Sequence, residues 1–527
     1  MAAARDVTAS DLVPTQGPPG PLARRPRADR WLVAAAVLPL AGYLVAAVAR
    51  IGYPYELEWM EGGSVEWARH VTTGDLYGPP SLENTPWAYP PGFPAVSALV
   101  ASVTGWGFLP LRLVSVVASL VVLAALAALV TQATGRRVAG VAAAGVYAVT
   151  YVPSGLAADV GRVDSLVLAL TLLGVVAVAR ARTPAAGLVA AMVLVAATAT
   201  KQTAVVVAVV ALCWLAVRRR RVGFVALASY AVLLALGLLA AQVWTGGWFV
   251  DYVVLLLPGH ELAGRYVLAY WVLDLGLLLG PTLLALWWGG RGRVPGPHGP
   301  PTPWLGTRGS AGELLCCAAG GLLLAGWLGR VHEGGAANTL MPGYAGVALL
   351  VGWTVGRSAS ARLGTALAAG LVVQTLVFGP ALVRAVPAEA DHRAGAEVIA
   401  AVSRLPGRVV LLDHPHYLTL AGKPAGAHLV AVSDLQRGAH SRARRSLQLQ
   451  LATSALASVD AVVLDRAVDA QRFGPELDRD FVRIPTAGTA TPGVFDPPGG
   501  ISGRPSVVYL RRGIPTPADL APLLEPR

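Results

Sequence analysis

Four short stretches of the chain place ionisable residues at the ends of long apolar runs. They are ELEWMEG (56–62), SGLAADVGRVDS (154–165), ATATKQTAVV (197–206) and GRVHEGGAAN (329–338). A carboxylate can accept a proton from an attacking hydroxyl group, and an arginine or lysine can stabilise the negative charge of a phosphate on a departing group. If the fold brings the four stretches together, they could carry out group transfer from a phosphate-linked donor.

The composition decides in which solvent these residues work. The chain has 527 residues, of which 55% are hydrophobic and 14% charged, and its mean hydropathy is +0.57. Apolar runs of about 20 residues, each long enough to cross a hydrocarbon core of about 30 Å, recur through the first three quarters. We therefore predict an α-helical polytopic membrane protein that contacts membrane lipids, and the composition excludes a soluble globular protein.

The net charge of +12 is best explained by membrane topology. Basic residues cluster at the ends of the apolar runs, where the positive-inside bias places them, so we predict no nucleic-acid partner. One arrangement of eleven transmembrane helices puts nearly every arginine cluster on the cytoplasmic side. It makes the protein a multi-pass protein of the cell membrane, with a cytoplasmic N-terminus and an extracytoplasmic C-terminal domain.

Three regions follow from this topology. Residues 1–30, rich in Pro, Gly and Arg, are predicted to be a disordered cytoplasmic tail. Residues 31–384 form the transmembrane domain, including a first external loop (51–108) with an amphipathic helix and a re-entrant or surface helix. Residues 385–527 carry the β-branched runs RVVLLD, DAVVLD and SVVYLRR, which predict a small soluble α/β domain.

The same topology brings the four polar stretches to the outer side of the membrane. The apolar run 184–217 is too long for one span, so we predict a hairpin of two short helices with Lys201 at its external turn. Ionisable groups at membrane depth cost several kcal/mol unless they pair or line a wet cavity, which makes them functional candidates. Carboxylates beside cations at this depth predict glycosyl transfer from a lipid-linked phosphate sugar.

The first loop carries the most specific pattern, ELEWMEGGSVEWARHVTTGDLYGPPSLENTPWAYPPGFP. An acidic residue soon after the first helix, an amphipathic stretch ending in GDLY, and then YPP resemble the GT-C superfamily of membrane glycosyltransferases. Protein O-mannosyltransferases and the aminoarabinose transferase of lipid A belong to that superfamily. The resemblance covers about residues 31–380 and implies a GT-C-like fold and an inverting transfer of a monosaccharide from a polyprenyl-phosphate donor to an acceptor hydroxyl.

The resemblance also implies site residues. The catalytic carboxylate corresponds to Glu61, which we prefer, or to Glu58. GRVDS resembles the second acidic motif of the superfamily, so Arg162 and Asp164 are candidate substrate-binding residues. Many relatives carry Asp, or adjacent Asp and Glu, in the first loop, whereas this chain spaces three glutamates, so the choice of the base stays open.

Further substrate-binding candidates come from the other stretches and from the aromatic residues. Lys201 is one of only two lysines beside forty arginines, and a compact ammonium with three rotatable donors suits a phosphate better than it suits snorkelling, which Arg performs equally well. Gln202 follows it. His332 and Glu333 lie either in a glycine-flanked loop that approaches the donor or in an interfacial turn, and Tyr89 suits sugar stacking or the membrane interface.

Other polar residues have plainer interpretations. Asp164 is also placed to cap a helix. Glu56 and Glu66 are interpreted as residues of a hydrated loop. His414 and His416 suggest a metal motif, but no third and fourth ligand stand at a convincing spacing, so a surface loop is the better interpretation.

Several points stay open at the level of sequence. No metal ligands are predicted, although the sequence does not exclude a divalent cation. The acceptor is a glycan, a lipid or a protein. Two alternative functions are a transporter or flippase of a lipid-linked or polar substrate, and a non-catalytic envelope assembly protein. The transporter predicts internal repeats, which the sequence does not show.

Overall fold

A computed structural model describes residues 26–289, 308–358, 360–438, 441–453, 455–485 and 503–524. Most of the predicted tail 1–30 lies outside these ranges, and its last five residues form the start of the first helix.

Helices make up the first part of the chain. The α-helices are α1 Pro26–Arg50, α2 Glu61–Thr73, α3 Gly92–Thr104, α4 Phe108–Thr134, α5 Arg137–Ala148, α6 Val163–Arg180, α7 Pro184–Thr198, α8 Ala204–Arg218, α9 Arg220–Trp244, α10 Trp248–Val250, α11 Arg265–Ala269, α12 Gly280–Gly289, α13 Arg308–Val331, α14 Met341–Arg357 and α15 Ala361–Arg384. Two π-helical segments, Asp251–Leu255 and Tyr270–Leu277, directly follow α10 and α11.

The lengths of these helices confirm the polytopic helical fold. In the described part of the chain, seven helices are long and apolar enough to cross a membrane. An eighth is counted if Arg265–Leu277 and Gly280–Gly289, bent by 71° at a short break, form one span. Helices α3, α5, α7 and α8 are apolar but shorter, so the count of eleven crossings stays a prediction. The run 184–217 does form two helices, with Lys201 in the turn between them.

Small residues let the helices of the bundle pack closely. The main core is rich in buried alanines contributed by most of the long helices. A Cβ atom added at Gly145 of α5 would lie 2.5 Å from the Ala36 side chain of α1. Close backbone approach at small residues is how helices associate where lipid removes the hydrophobic driving force. Large apolar side chains such as Val48 and Val243 stay exposed, at 76% and 73%, on the outside of the bundle.

The rest of the chain combines helices with a small sheet. In the described residues after α15 the elements are α16 Glu389–Arg404, β1 Val409–Leu411, α17 Pro415–Leu420, α18 Leu429–Arg437, α19 Arg442–Thr453, β2 Ala461–Leu464, α20 Pro475–Asp480, β3 Phe481–Arg483 and β4 Val507–Arg511. The strand order is β1-β2-β4-β3; β1 and β2 are parallel and the other two pairs are antiparallel. The runs RVVLLD, DAVVLD and SVVYLRR form β1, β2 and β4, as their β-branched residues predict.

The part of the chain after α15, the sheet region, is docked on the first loop of the bundle. Ala427 N donates a hydrogen bond to Leu82 O at 2.9 Å, and the His428 ring contacts Trp59 O at 3.0 Å. A second hydrophobic core is shared by residues of the first loop, such as Trp67, and residues of the sheet, such as Val462. The two parts therefore enclose the space between them, where the candidate site lies.

Candidate active site

A cavity of about 1330 Å³ lies between the helical bundle and the sheet region. Part of its wall is apolar and comes from α7, α8, α9 and α13, including Val195, Val205, Leu238 and Leu328. Another part is polar and includes Glu58 and residues that follow β1 and β2. Ligand pockets for drug-sized molecules are typically about 300–1,000 Å³, so this cavity has room for a headgroup and the start of a long apolar chain.

Four charged residues form a continuous ion chain beside the cavity. Lys201 Nζ lies 2.7 Å from Asp164 Oδ1, and Arg162 Nε lies 3.4 Å from Asp164 Oδ2. Arg162 also contacts Glu58 Oε1 through Nη1 at 2.9 Å. Glu58, Arg162 and Lys201 line the cavity, while Asp164 stands behind the two cations. Two carboxylates and two cations balance, so a buried chain of this kind is tolerated and its cations stay charged.

The ends of α6 and the α7–α8 turn position this ion chain. Arg162 occupies the position before α6 without capping it, and Asp164 lies in the first turn. The capping role considered for Asp164 is replaced by hydrogen bonds from Lys201 and from Asn338 Nδ2, the latter at 2.9 Å. On the α7–α8 turn, Gln202 Nε2 donates to two backbone carbonyl oxygens, at 2.6 and 2.8 Å. Tyr89 places its ring 5.3 Å from the Lys201 ammonium, a distance typical of a cation–π contact.

The environment of Glu58 suits a proton acceptor. Burial raises the pKa of the Glu58 carboxyl group to about 7, although the neighbouring Arg162 guanidinium favours the charged form. One carboxylate oxygen contacts that guanidinium, and the other accepts a hydrogen bond from Met60 N at 3.1 Å. A general base works best with a pKa near the operating pH. Of the first-loop glutamates, Glu58 therefore has both access to the cavity and a suitable pKa.

Glu61 is placed differently. It is completely buried, and it is not among the described residues that line the cavity. Its two oxygens accept from Arg112 at 3.0 and 2.7 Å, from Gly161 N at 2.6 Å and from Leu57 N at 2.7 Å. Burial opposes the charged form, but these donors hold the pKa of Glu61 below its ordinary value. Glu61 thus links the first loop to α4 and to the loop between α5 and α6, and the choice of the base between Glu58 and Glu61 stays a prediction.

Arg112 and Arg50 are residues that the motif argument missed. Arg112 is the one charged residue inside the apolar helix α4, and that isolation was the signal that could have identified it. Arg50, at the end of α1, pairs with Asp159 at 3.1 Å, and both side chains are buried. The Arg112–Glu61 and Arg50–Asp159 pairs hold the loop between α5 and α6 in place, because Asp159 belongs to that loop and Glu61 accepts a hydrogen bond from Gly161 N. They therefore position Arg162 and the start of α6.

His332 and Glu333 also line the cavity. The His332 ring contacts Leu257 O at 3.0 Å, and Glu333 N donates to Glu261 O at 3.1 Å. Their observed bonds thus go to the backbone of a neighbouring loop. The structure brings them to the same cavity as the ion chain and gives them a place in its wall.

The structure corrects the predictions made for two glutamates of the first loop and for two histidines of the sheet region. Glu56 and Glu66 are buried, and so are His414 and His416. The His414 ring contacts Glu56 through Nδ1, and His416 Nδ1 lies 2.6 Å from Glu66 Oε1. The predictions of a hydrated loop for the two glutamates and of a surface loop for the two histidines are therefore wrong, because these side chains join the first loop to the sheet region. They form ion pairs if the histidines are protonated.

The charge on His414 follows from its neighbours. Its Nε2 atom lies 3.1 Å from Asp465 Oδ2. Burial disfavours the charged imidazolium, but the carboxylates of Asp465 and Glu56 raise the pKa of His414 well above its usual range. The sequence suggested a metal motif here; in the described ranges no group of three or more His, Cys, Asp or Glu side chains is arranged to hold a metal ion. The role of a divalent cation stays untested.

Comparisons with known proteins agree with this architecture. Residues 88–244 match the model of the family described as dolichyl-phosphate-mannose-protein mannosyltransferase. A search of curated protein sequences finds no match. Among solved structures, ArnT from Cupriavidus metallidurans bound to undecaprenyl phosphate is similar, with 12% identity, a TM-score of 0.55, and coverage of 94% of this chain and 99% of that chain.

A second solved structure is the archaeal oligosaccharyltransferase AglB from Archaeoglobus fulgidus, in complex with an inhibitory peptide and a dolichol-phosphate. It has 10% identity and a TM-score of 0.46, and the match covers 85% of this chain and 71% of AglB. The fold is similar to that of ArnT, and residues 88–244 match the mannosyltransferase family model. Together they confirm the resemblance to the GT-C superfamily that the first-loop motif predicts.

Proposed function

We propose that this protein is a membrane glycosyltransferase that moves a monosaccharide from a polyprenyl-phosphate donor to an acceptor hydroxyl group on the extracytoplasmic side. One observation carries the proposal: the buried ion chain of Glu58, Arg162, Asp164 and Lys201 lies beside a cavity whose wall is partly apolar and partly polar. An amphiphile with an anionic headgroup and a long apolar tail fits such a cavity.

The donor phosphate would bind Lys201 and Arg162. Both cations already pair with Asp164, which keeps them charged and fixes their position before the donor arrives. The polyprenyl chain would follow the apolar wall, including Val205 and Leu238. Negative charge grows on the phosphate as the sugar leaves, and fixed cations in a water-poor site stabilise that charge better than water does.

Glu58 would act as the general base. Its carboxylate accepts the proton of the acceptor hydroxyl while the hydroxyl oxygen attacks the anomeric carbon of the donor sugar. The bond from that carbon to the phosphate oxygen breaks, its electron pair stays on the polyprenyl phosphate, and the anomeric configuration is inverted. The acceptor would enter from the polar part of the cavity, because the apolar wall is occupied by the lipid.

Two findings support this assignment from outside the site. The structural relative ArnT was solved with undecaprenyl phosphate bound, and the matching family is described as using a dolichyl-phosphate sugar. Both ligands are polyprenyl phosphates. The identity of the sugar and of the acceptor is not part of the proposal.

A transfer assay with radiolabelled polyprenyl-phosphate sugars on the purified protein tests the proposal. Lys201→Ala should reduce transfer on the order of 100-fold, since losing one partner of a buried, hydrogen-bonded charge contact costs about 2–5 kcal/mol. Lys423→Ala is the matched control, because Lys423 donates to Leu405 O at 2.7 Å in the sheet region and does not line the cavity. It should retain wild-type transfer.

Two results would count against the enzyme. Equal transfer by the Lys201→Ala and Lys423→Ala variants would show that Lys201 does not bind the donor phosphate. Binding of undecaprenyl phosphate without transfer of any sugar would favour the transporter or flippase. The proposed orientation has its own test: a cysteine introduced at Glu83 should be labelled by a membrane-impermeant maleimide from outside intact cells, and no labelling there would contradict it.

A further inference from the structure

Two aspartates outside the ion chain face the same cavity. Asp413 follows β1 and Asp465 follows β2, and these strands are neighbours and parallel. The carboxyl ends of parallel strands lie at one edge of a sheet, which is where α/β folds commonly bind ligands. Both residues line the cavity, and they are only 5% and 7% exposed.

One oxygen of each aspartate has no partner. Within the described residues, Asp413 Oδ2 and Asp465 Oδ1 are buried atoms without a hydrogen bond. The second oxygen of Asp465 contacts the His414 ring at 3.1 Å, so only Oδ1 is free. Leaving a buried acceptor unpaired costs about 1–3 kcal/mol, and native proteins rarely do so without a reason. Two such acceptors at one edge of a cavity indicate that a ligand group that donates hydrogen bonds binds there.

The surrounding charges decide which kind of hydrogen-bond-donating group fits beside the two aspartates. Near the two aspartates, the arginines of the cavity wall are already engaged: Arg466 and Arg472 contact Asp469 at 3.0 and 3.4 Å. His414 lies between Asp465 and Glu56. Positive and negative groups therefore nearly balance, which suits neutral hydroxyl groups better than a multiply charged ligand.

An aromatic surface supports the same choice. The Trp59 ring lines the cavity and lies 4.7 Å from the His428 ring, centroid to centroid. His428 in turn begins the helix that packs beside β1. A flat aromatic face with hydrogen-bond acceptors nearby matches a sugar ring, which has apolar C–H faces and hydroxyl groups around its edge.

We propose that Asp413 and Asp465 bind hydroxyl groups of a saccharide in the cavity, with Trp59 as an adjacent apolar surface. This inference rests on the proposed function and extends it, since it assigns the sheet region a part in sugar recognition. The hydroxyl groups belong either to the donor sugar or to a saccharide acceptor. Burial and the nearby Asp465 charge raise the pKa of Asp413 to about 7, so near neutrality it can accept or donate a hydrogen bond.

Binding experiments on the full-length protein in nanodiscs separate the two sources. The probes are undecaprenyl phosphate alone and undecaprenyl phosphate carrying mannose, glucose, galactose or arabinose. Asp413→Asn and Asp465→Asn should leave the affinity for undecaprenyl phosphate within about 2-fold of wild type, because the phosphate contacts lie elsewhere. If the donor sugar occupies the site, affinity for the preferred glycolipid falls about 10- to 100-fold, as expected for a lost hydrogen bond to a charged group.

If the acceptor occupies the site instead, glycolipid affinity stays unchanged and the KM for the acceptor rises by a similar factor. Methyl glycosides of the same four sugars serve as acceptor probes in the transfer assay. Asp460→Asn is the matched control, because Asp460 directly precedes β2 at the opposite end of the strand from Asp465, accepts a hydrogen bond from Arg408 N at 2.9 Å and does not line the cavity. It should leave both measurements unchanged.

The outcomes distinguish the inference from the function it rests on. If wild type binds undecaprenyl phosphate and transfers sugar, but Asp413→Asn and Asp465→Asn change neither glycolipid affinity nor acceptor KM, the inference alone is wrong. The same follows if Asp460→Asn produces an equal change, since the effect is then structural. If wild type neither binds undecaprenyl phosphate nor transfers sugar, both proposals are wrong.

Discussion

The pH dependence of transfer gives a sharp test of the general base. Glu58→Gln keeps the size of the side chain and removes its ability to take a proton. Because burial raises the pKa of Glu58 to about 7, about half of the wild-type molecules carry the active carboxylate at pH 7 and about a tenth at pH 6. Activity requires the deprotonated form, so kcat/KM should rise about tenfold per pH unit below about pH 6, about fivefold between pH 6 and pH 7, and level off above about pH 8.

The assay is the transfer of a radiolabelled polyprenyl-phosphate sugar, measured between pH 5.5 and 8.5. A positioned general base contributes about 10²- to 10⁴-fold to the rate, so Glu58→Gln should lose this factor at pH 8. The remaining activity should no longer fall with decreasing pH. The loss should appear in kcat rather than in donor KM, since the cations that hold the phosphate remain.

Glu56→Gln is the control for this experiment. Burial also raises the pKa of Glu56 to about 7, although the nearby His414 opposes the shift. Glu56 contacts His414 and is not among the described residues that line the cavity. Its variant should therefore keep the acid limb of the profile. Glu58 is not the general base if Glu58→Gln keeps the wild-type rate and profile, or if Glu56→Gln abolishes the acid limb instead.

Two further variants test how the site is held together. Arg112→Met leaves the buried Glu61 carboxylate without its cation, which should cost about 3–5 kcal/mol of stability and lower the thermal unfolding temperature in detergent. A double variant that also carries Glu61→Leu should regain most of the lost stability. An unfolding temperature that Arg112→Met leaves unchanged would contradict the pairing. At Gly92, an added Cβ would lie 2.7 Å from a backbone oxygen of the α7–α8 turn, so Gly92→Ala should displace Lys201 and raise donor KM severalfold. Gly52→Ala, where an added Cβ meets nothing within 4 Å, should leave KM unchanged, and equal behaviour of the two variants would show that the turn does not depend on this contact.

The sequence predicted the parts of the fold that local patterns determine. Apolar length identified the membrane helices, and the excess length of the run 184–217 placed Lys201 in a turn. β-branched runs located three of the four strands found in the described residues. The remaining strand, Phe481–Arg483, has only three residues, two of them exposed, so it carries no alternating pattern that could identify it.

The site was harder to predict because its partners are distant in sequence. The convergence of the four polar stretches followed from topology. The different surroundings of Glu58 and Glu61 did not, since they depend on Arg112, which comes from the interior of an apolar helix. In the same way His414 lies close to Glu56 only because the sheet region docks on the first loop. Such pairings need the packed structure, as residue type and spacing are equally compatible with exposed loops.

The most direct test of the central claim is to locate undecaprenyl phosphate bound to this protein by cryo-electron microscopy in nanodiscs. We expect its phosphate within hydrogen-bond distance of Lys201 or Arg162, with Glu58 facing the sugar side and the polyprenyl chain along the apolar wall formed with Val205 and Leu238. A phosphate bound outside this cavity, or on the opposite side of the bundle from Lys201, would show that the ion chain is not the donor site.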